Sequence, residues 1–366
     1  MYTSLTSEAV FQVGQEAAQD MAADAALSPH PQPASGLHDP LLARQWMAIA
    51  WSSEIAPGRL VARRLMGRDL VLWRSAEGLH CWRDLCVHRG ARLSLGVIRP
   101  ASASDARDCL VCPYHAWEYA PTGECVRFPA HPEIAPPARA RAETFPVRER
   151  YGVVWVAMDE PDGAPPEFFL AEDANFRTVL AGPYRFRALG PRVIENLLDV
   201  AHLGFVHAGL LGDPARPEID DYAVTAGAES RGPEASEIRI WQPDPDGTGA
   251  AAMVTYRYWV DGPLTAGFIK THGEQRFGIL AQVAPVDADT CESRLIMSLN
   301  YGHEIPDCEL IAFQDRVSEQ DRVVVESQRP ELLPLDLQAE LHLRSDRMAI
   351  AYRRWLRAIG FTYGTA

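Results

Sequence analysis

From Trp46 onward the chain alternates short apolar runs with turn signals, and their spacing predicts two differently built halves. Runs at 60–66, 70–73 and 79–82 are separated by Gly67-Arg68-Asp69 and Ser75-Ala76-Glu77-Gly78. Runs this short with Gly-containing breaks read as antiparallel strands. Pro121-Thr122-Gly123-Glu124 reads as a further hairpin turn, and 151–158 as a closing strand. A polar break follows at Asp159-Glu160-Pro161-Asp162-Gly163. The pattern predicts a small antiparallel β domain over 39–160.

Past the break, a strand-like 184–189 leads into a helical pattern at about 193–205. Candidate strands then fall at 237–241, 252–259, 277–283 and 294–301. Two helical segments close the chain, 307–328 and 345–359, the second stopping at Gly360. This order predicts an α+β domain over 161–366, with an antiparallel sheet covered by helices. Residues 1–38 are rich in Ala, Gln and acids and are expected to form a poorly ordered arm.

Composition narrows the function without naming it. A length of 366 residues allows two cores, and a net charge of −14 speaks against a nucleic-acid partner. Lys270 is the only lysine, so nearly all positive charge is arginine. No apolar run is long enough to span a bilayer, and none of the first 43 residues is Lys or Arg. That excludes a secretory n-region and an Arg-rich transit peptide, and a cytoplasmic location is the expectation.

Of seven cysteines, Cys81, Cys86, Cys109, Cys112 and Cys125 crowd one stretch beside histidines, which favours a metal site over disulfides. Cys86-Val87-His88-Arg89-Gly90 and Cys112-Pro113-Tyr114-His115-Ala116-Trp117 each offer one thiolate and one imidazole. Two thiolates on one iron and two imidazoles on the other make the mixed ligation of a [2Fe–2S] centre. A tetrahedral zinc accepts the same donors, and Cys109 with Cys112 forms a CxxC that would suit it. Cys81 and Cys109 otherwise read as small buried hydrophobes.

A second polar anomaly runs from Pro191 to His207. On a continuous helix Glu195, Asp199 and His202 share a face, and Gly204 lets His207 converge with His202. Two histidines and a carboxylate form the facial triad of non-haem iron sites. The carboxylate is expected at Asp321, which falls on the apolar stripe Leu310, Phe313, Val317, Val324, where an unpartnered charge is costly. Asp315, Glu319 and Glu326 read as solvated. Tyr256, Tyr258, Trp259, Phe268, Phe277 and Tyr301 fit either a pocket wall or a core, and are assigned to the core.

Together these stretches resemble the Rieske non-haem iron oxygenases, terminal components of multicomponent systems. Cys86-x-His88-Arg89-Gly90 with CPYHAWEY is similar to that family's cluster motif, and Glu195-Asn196-x-x-Asp199-x-x-His202-x-x-x-x-His207 to its iron motif. The tail, with Glu319-Gln320-Asp321 and Ser345-Asp346-Arg347, resembles the branch of the saxitoxin-pathway hydroxylases, and more distantly vanillate and dicamba O-demethylases. Ala116 departs from the family's usual Gly, and the segment between the cluster loops carries an insertion around 102–108.

The resemblance implies a [2Fe–2S] cluster on Cys86, His88, Cys112 and His115, and a mononuclear Fe(II) on His202, His207 and Asp321 that uses O2. It implies Asp199 as the electron bridge to His115 of the partner subunit in a homotrimer, and Asn196 as a shaper of the iron pocket. The chain has no flavin or nicotinamide fingerprint, so electrons are expected from a separate NAD(P)H-dependent reductase or ferredoxin. The expected reaction is monooxygenation of a small molecule, by C–H hydroxylation or O/N-dealkylation. A cis-dihydroxylating dioxygenase is the alternative within enzymes. A plain electron carrier or zinc-stabilised binding module is the alternative outside them.

Overall fold

Among the described residues of the first half, eleven short strands form three small antiparallel sheets. β1 (Met47–Trp51), β11 (Val153–Val156) and β10 (Val147–Arg150) make one, in that order. β2 (Leu60–Leu65), β3 (Arg68–Ser75), β4 (Gly78–Arg83) and β9 (Thr144–Phe145) make the second. β5 (Val97–Pro100), β6 (Asp108–Val111), β7 (Glu118–Tyr119) and β8 (Cys125–Arg127) make the third. The computed structural model describes residues 37–100, 108–228 and 231–366. The expected arm lies outside these, Leu37 and His38 excepted, as does most of the inserted stretch.

β3 is buried from Leu70 to Trp73 because both its faces are covered. Leu70 and Leu72 join Leu65, Cys81 and Phe145 in the main core. Val71 and Trp73 point the other way, with Trp82, Leu110 and Tyr119, and build a second core against Cys86 and Cys112. The strand period of two thus sends alternate residues into different cores.

The second half is one seven-stranded antiparallel sheet in the order β12-β18-β17-β16-β15-β14-β13. Its strands are β12 (Arg177–Phe186), β13 (Ala223–Thr225), β14 (Glu234–Gln242), β15 (Ala252–Gly262), β16 (Thr265–His272), β17 (Gln275–Pro285) and β18 (Cys291–Leu299). Trp259, Ile269, Leu280 and Ile296 on one face pack with Trp46, Ala48, Val153 and Trp155 of the first half. The opposite face carries cross-strand rows. Tyr258, Phe268, Ile279 and Met297 form one, and Tyr256, Lys270, Phe277 and Leu299 the next.

β16 has no counterpart in the sequence reading. Gly267 sits at its centre because Trp259 lies across the strand, and a Cβ there would come within 2.5 Å of the indole. Gly at mid-strand and Lys270 on the apolar face together hide the alternation.

The chain has four α-helices among its described residues: α1 (Pro40–Ala43), α2 (Gly190–Leu198), α3 (Asp307–Ser327) and α4 (Arg347–Ile359). α4 stops at Gly360, φ +74°, as expected. The helix expected over 193–205 is broken. It ends at Leu198, Asp199 is extended (φ −78°, ψ 128°), and a 3₁₀ turn spans Ala201–Gly204. Glu195 consequently does not share a face with His202. It is buried against Arg353, which donates to it at 2.5 and 2.8 Å and also donates to Glu340. Among the described residues no helix is long and apolar enough to cross a membrane.

Candidate metal centres

Two loops of matching construction hold the first donor set. In one, Gly90 N–H donates to the Cys86 carbonyl at 2.9 Å; in the other, Ala116 N–H donates to the Cys112 carbonyl at 3.1 Å. Both closing residues are left-handed, Gly90 at φ +72° and Ala116 at φ +55°. Ala116 therefore occupies a conformation that suits glycine, which accounts for the residue usual in the resembling family.

The sulfurs and imidazoles are sorted by depth. Cys86 and Cys112 are 2% and 3% exposed, their sulfurs side by side, and the Tyr119 hydroxyl lies 3.1 Å from the Cys86 sulfur. Burial pushes the Cys112 thiol above its ordinary value, although the N–H groups of Tyr114 and His115 point at it and pull it back. His88 and His115 stand further out, ring centroids 4.6 Å apart, with Trp117 stacked on His88 at 4.3 Å. His88 Nδ1 is buried without a hydrogen-bond partner. Two deep thiols, two outer imidazoles and an orphaned ring nitrogen fit a [2Fe–2S] cluster of mixed ligation.

The second donor set converges from the turn after α2 and from α3. His202 Nε2 lies 3.2 Å from His207 Nε2 and 3.5 Å from Asp321 Oδ1, which is 3.0 Å from His207 Nε2. Donors about 2.1 Å from one ion and 90–109° apart stand about 3.0–3.4 Å from each other. Asp321 Oδ1 is buried and lacks a hydrogen-bonding partner despite these approaches. The three side chains fit one metal ion.

Behind the rings, His207 Nδ1 has a hydrogen-bonding partner, whereas His202 Nδ1 is buried with only a carboxylate at ion-pair distance. His207 Nδ1 is 2.8 Å from Gln320 Oε1, an acceptor, which fixes the proton on Nδ1 and leaves the Nε2 lone pair facing inward. His202 Nδ1 is 3.5 Å from Asp199 Oδ2, whose other oxygen accepts from Ala201 N at 2.8 Å. Burial lowers the proton affinity of His202, but Asp199 and Asp321 outweigh it and hold its pKa above the usual value. The turn itself is tight: a Cβ on Gly212 would meet the Gly204 backbone at 2.7 Å. Gln320 was not singled out from sequence. The apolar stripe of α3 also drifts, since Val325 is buried and Val324 exposed.

Above the sheet, these ligands end a cavity of about 510 Å³. Asn196 lines it beside His202. So do Tyr256, Tyr258, Phe268, Phe277 and Tyr301: Tyr256 and Tyr258 belong to the main core and form cavity wall at once, Phe268, Phe277 and Tyr301 are corrected from core to wall, and Trp259 lies in the core of the opposite face. Leu197, Leu210, Met297 and Phe313 make the rest predominantly apolar.

A β region carrying a Rieske-type donor set, joined to a sheet carrying a two-histidine, one-carboxylate triad beside an apolar cavity, defines an iron-dependent oxygenase. Comparison with known proteins agrees. Residues 45–146 match the Rieske [2Fe-2S] domain, and 186–360 the vanillate O-demethylase oxygenase C-terminal domain. The chain is 30% identical over 308 residues to methylxanthine N1-demethylase NdmA of Pseudomonas putida, covering 82% of each. Over 227 residues it is 28% identical to the oxygenase component of dicamba O-demethylase from Stenotrophomonas maltophilia, covering 60% of this chain and 61% of that one. The solved structure of Pseudomonas putida CBB5 NdmA with caffeine is similar at TM-score 0.71 and 28% identity, covering 87% of this chain and 90% of that one. The chain belongs to the Rieske oxygenases, as an oxygenase component using a [2Fe–2S] cluster, mononuclear iron and O2 to monooxygenate small organic molecules. The tail likeness to the saxitoxin-pathway hydroxylases remains an expectation from sequence.

Proposed function

We propose that this chain catalyses hydroxylation or N- or O-dealkylation of a small, mostly apolar molecule seated in the cavity above the sheet. The reading rests on the convergence of His202, His207 and Asp321 at the end of that cavity. Iron bound there would supply O2 activation, and a cluster on Cys86, His88, Cys112 and His115 would supply single electrons. Gln320 orients the His207 imidazole so that its Nε2 lone pair faces His202 and Asp321, and Asp199 places a negative charge 3.5 Å behind His202 Nδ1. The apolar walls exclude water, and Asn196 presents an amide beside the reacting end. Residues 39–160 would form the electron-receiving domain and 161–366 the catalytic one.

The exposed His115 and the half-exposed Asp199 suit a head-to-tail homotrimer in which His115 of one subunit reaches Asp199 of the next. Relatives described as oxygenase components imply a separate reductase or ferredoxin for this chain too. Asp199→Ala is expected to retain about three irons per chain and the cluster absorbance while losing turnover with the native donor. Normal turnover by that variant would refute the bridge. Zinc in place of iron in purified protein would refute the oxygenase reading, and two labelled atoms from ¹⁸O₂ in the product would refute monooxygenation.

A further inference from the structure

We infer that Lys270 is a specificity-determining residue that pairs with an anionic group, a carboxylate or sulfonate, on an otherwise apolar substrate. The inference rests on the cavity being the substrate site proposed above, and adds the chemistry of what enters it.

Three observations carry it. First, the position is anomalous. Lys270 is the chain's single lysine, and it stands in a cross-strand row between Tyr256 and Phe277 on the sheet face that floors the cavity. Its Nζ is 5.7 Å from the Phe277 ring centroid, and both residues line the same cavity as the three metal ligands. An apolar side chain would satisfy the packing of that row, so packing alone gives no reason for an ammonium there.

Second, the ammonium is incompletely satisfied. Nζ donates to the Pro245 carbonyl at 2.5 Å, and among the described residues this is its one hydrogen bond. An ammonium has three donors, so two remain. No carboxylate of a described residue lies within ion-pair distance. The acids nearest in charge, Asp246 and Asp244, are turned to other partners. Asp246 accepts from Thr248 and faces His272 at 3.7 Å, and Asp244 accepts from Gly249.

Third, the cavity offers a ligand no second buried cation among the described residues. Arg316 lines the cavity but is exposed, its guanidinium over Phe313. The other polar residues lining this part of the cavity include Tyr301, Glu309, Gln314 and the two acids Asp244 and Asp246, whose carboxylates are held by Thr248, His272 and Gly249. Burial lowers the pKa of Lys270 to about 8 against the support of Asp246 and Asp244, so it still carries its charge near neutrality. A buried ammonium with spare donors is stabilised most by an anion of complementary size.

The competing role is structural, a latch on the 243–249 loop through Pro245. The two roles separate by ligand charge. Isothermal titration of the iron- and cluster-loaded holoprotein with 4-methoxybenzoate and 4-methoxybenzenesulfonate, each against neutral 4-methoxytoluene, measures this without turnover. The wild type should bind at least one anion tenfold or more tighter than the ether. Lys270→Met should remove that preference while leaving ether affinity within about twofold, and Lys270→Arg should keep part of it. Equal binding of anions and ether by wild type, no binding of either anion, or an anion preference that survives Lys270→Met would overturn the inference. So would parallel loss of all three ligands in Lys270→Met, which is the signature of a latch. Because the holoprotein's iron content is verified first, these failures leave the oxygenase reading standing, whereas failure of that reading appears as absent iron.

Discussion

Replacing Gln320 by leucine isolates what holds His207, a proposed iron ligand, in place. His207 is 1% exposed, and its Nδ1 has Gln320 Oε1 at 2.8 Å. Leucine fills similar space but leaves an N–H buried without an acceptor, at a cost of about 1–3 kcal/mol. If that cost falls on the ligating orientation of the ring, metal affinity drops by about 5- to 150-fold. The range overlaps the roughly 10- to 100-fold effect typical of residues that orient metal-bound histidines. Anaerobic titration of iron-depleted protein with Fe(II), in competition with a chromogenic chelator, reads the constant directly. Absorbance of the [2Fe–2S] cluster serves as the control and should not change. Gln320→Glu keeps an acceptor at the same reach and should hold iron at least as well as wild type. Affinity within about twofold of wild type for Gln320→Leu would refute the argument.

Other outcomes follow from the same geometry. Ala116→Gly relieves a left-handed alanine and should stabilise the protein by about 0.5–1 kcal/mol in denaturant unfolding, net of glycine's greater unfolded freedom; a loss of stability would contradict the strain. Arg353→Met leaves the buried Glu195 and the half-buried Glu340 with less compensation and should destabilise by about 3–5 kcal/mol, read as a lowered urea midpoint. Burial raises the pKa of Glu340, but Arg192 and Arg353 outweigh it and hold it below the usual carboxylate range. Its contribution to stability is therefore present above its unfolded pKa and lost as pH falls through the lowered one. An acid unfolding midpoint that does not move in Glu340→Gln would count against this.

The proposed metal ligands were legible because each breaks a pattern: cysteine beside histidine in short loops, and Asp321 on an apolar stripe. What stayed hidden depends on contacts between distant residues. Leu198-Asp199-Val200-Ala201-His202 has helical spacing, yet the chain leaves the helix at Asp199 so that His202 and His207 can face α3. Glu195 looked like part of the site because its buried partner, Arg353, lies far along the sequence. Gln320 sits between two acids on a helix and gives no periodic signal of its inward contact. The aromatics of β15 to β17 could not be assigned to cavity or core before the strand register was known. β16 itself was concealed by Gly267 and Lys270, the one required by a neighbouring indole and the other placed for the cavity.

Lys270 also has a practical consequence. Amine-directed reagents find one side chain in this protein, besides the α-amino group. Acylation of that amine, read from a single peptide by mass spectrometry, would report on access to the cavity without any chromophore. A molecule filling the cavity should protect the amine in proportion to its occupancy. The same uniqueness makes lysine-selective isotope labelling a one-signal reporter, free of assignment, for screening compounds against a protein of this size.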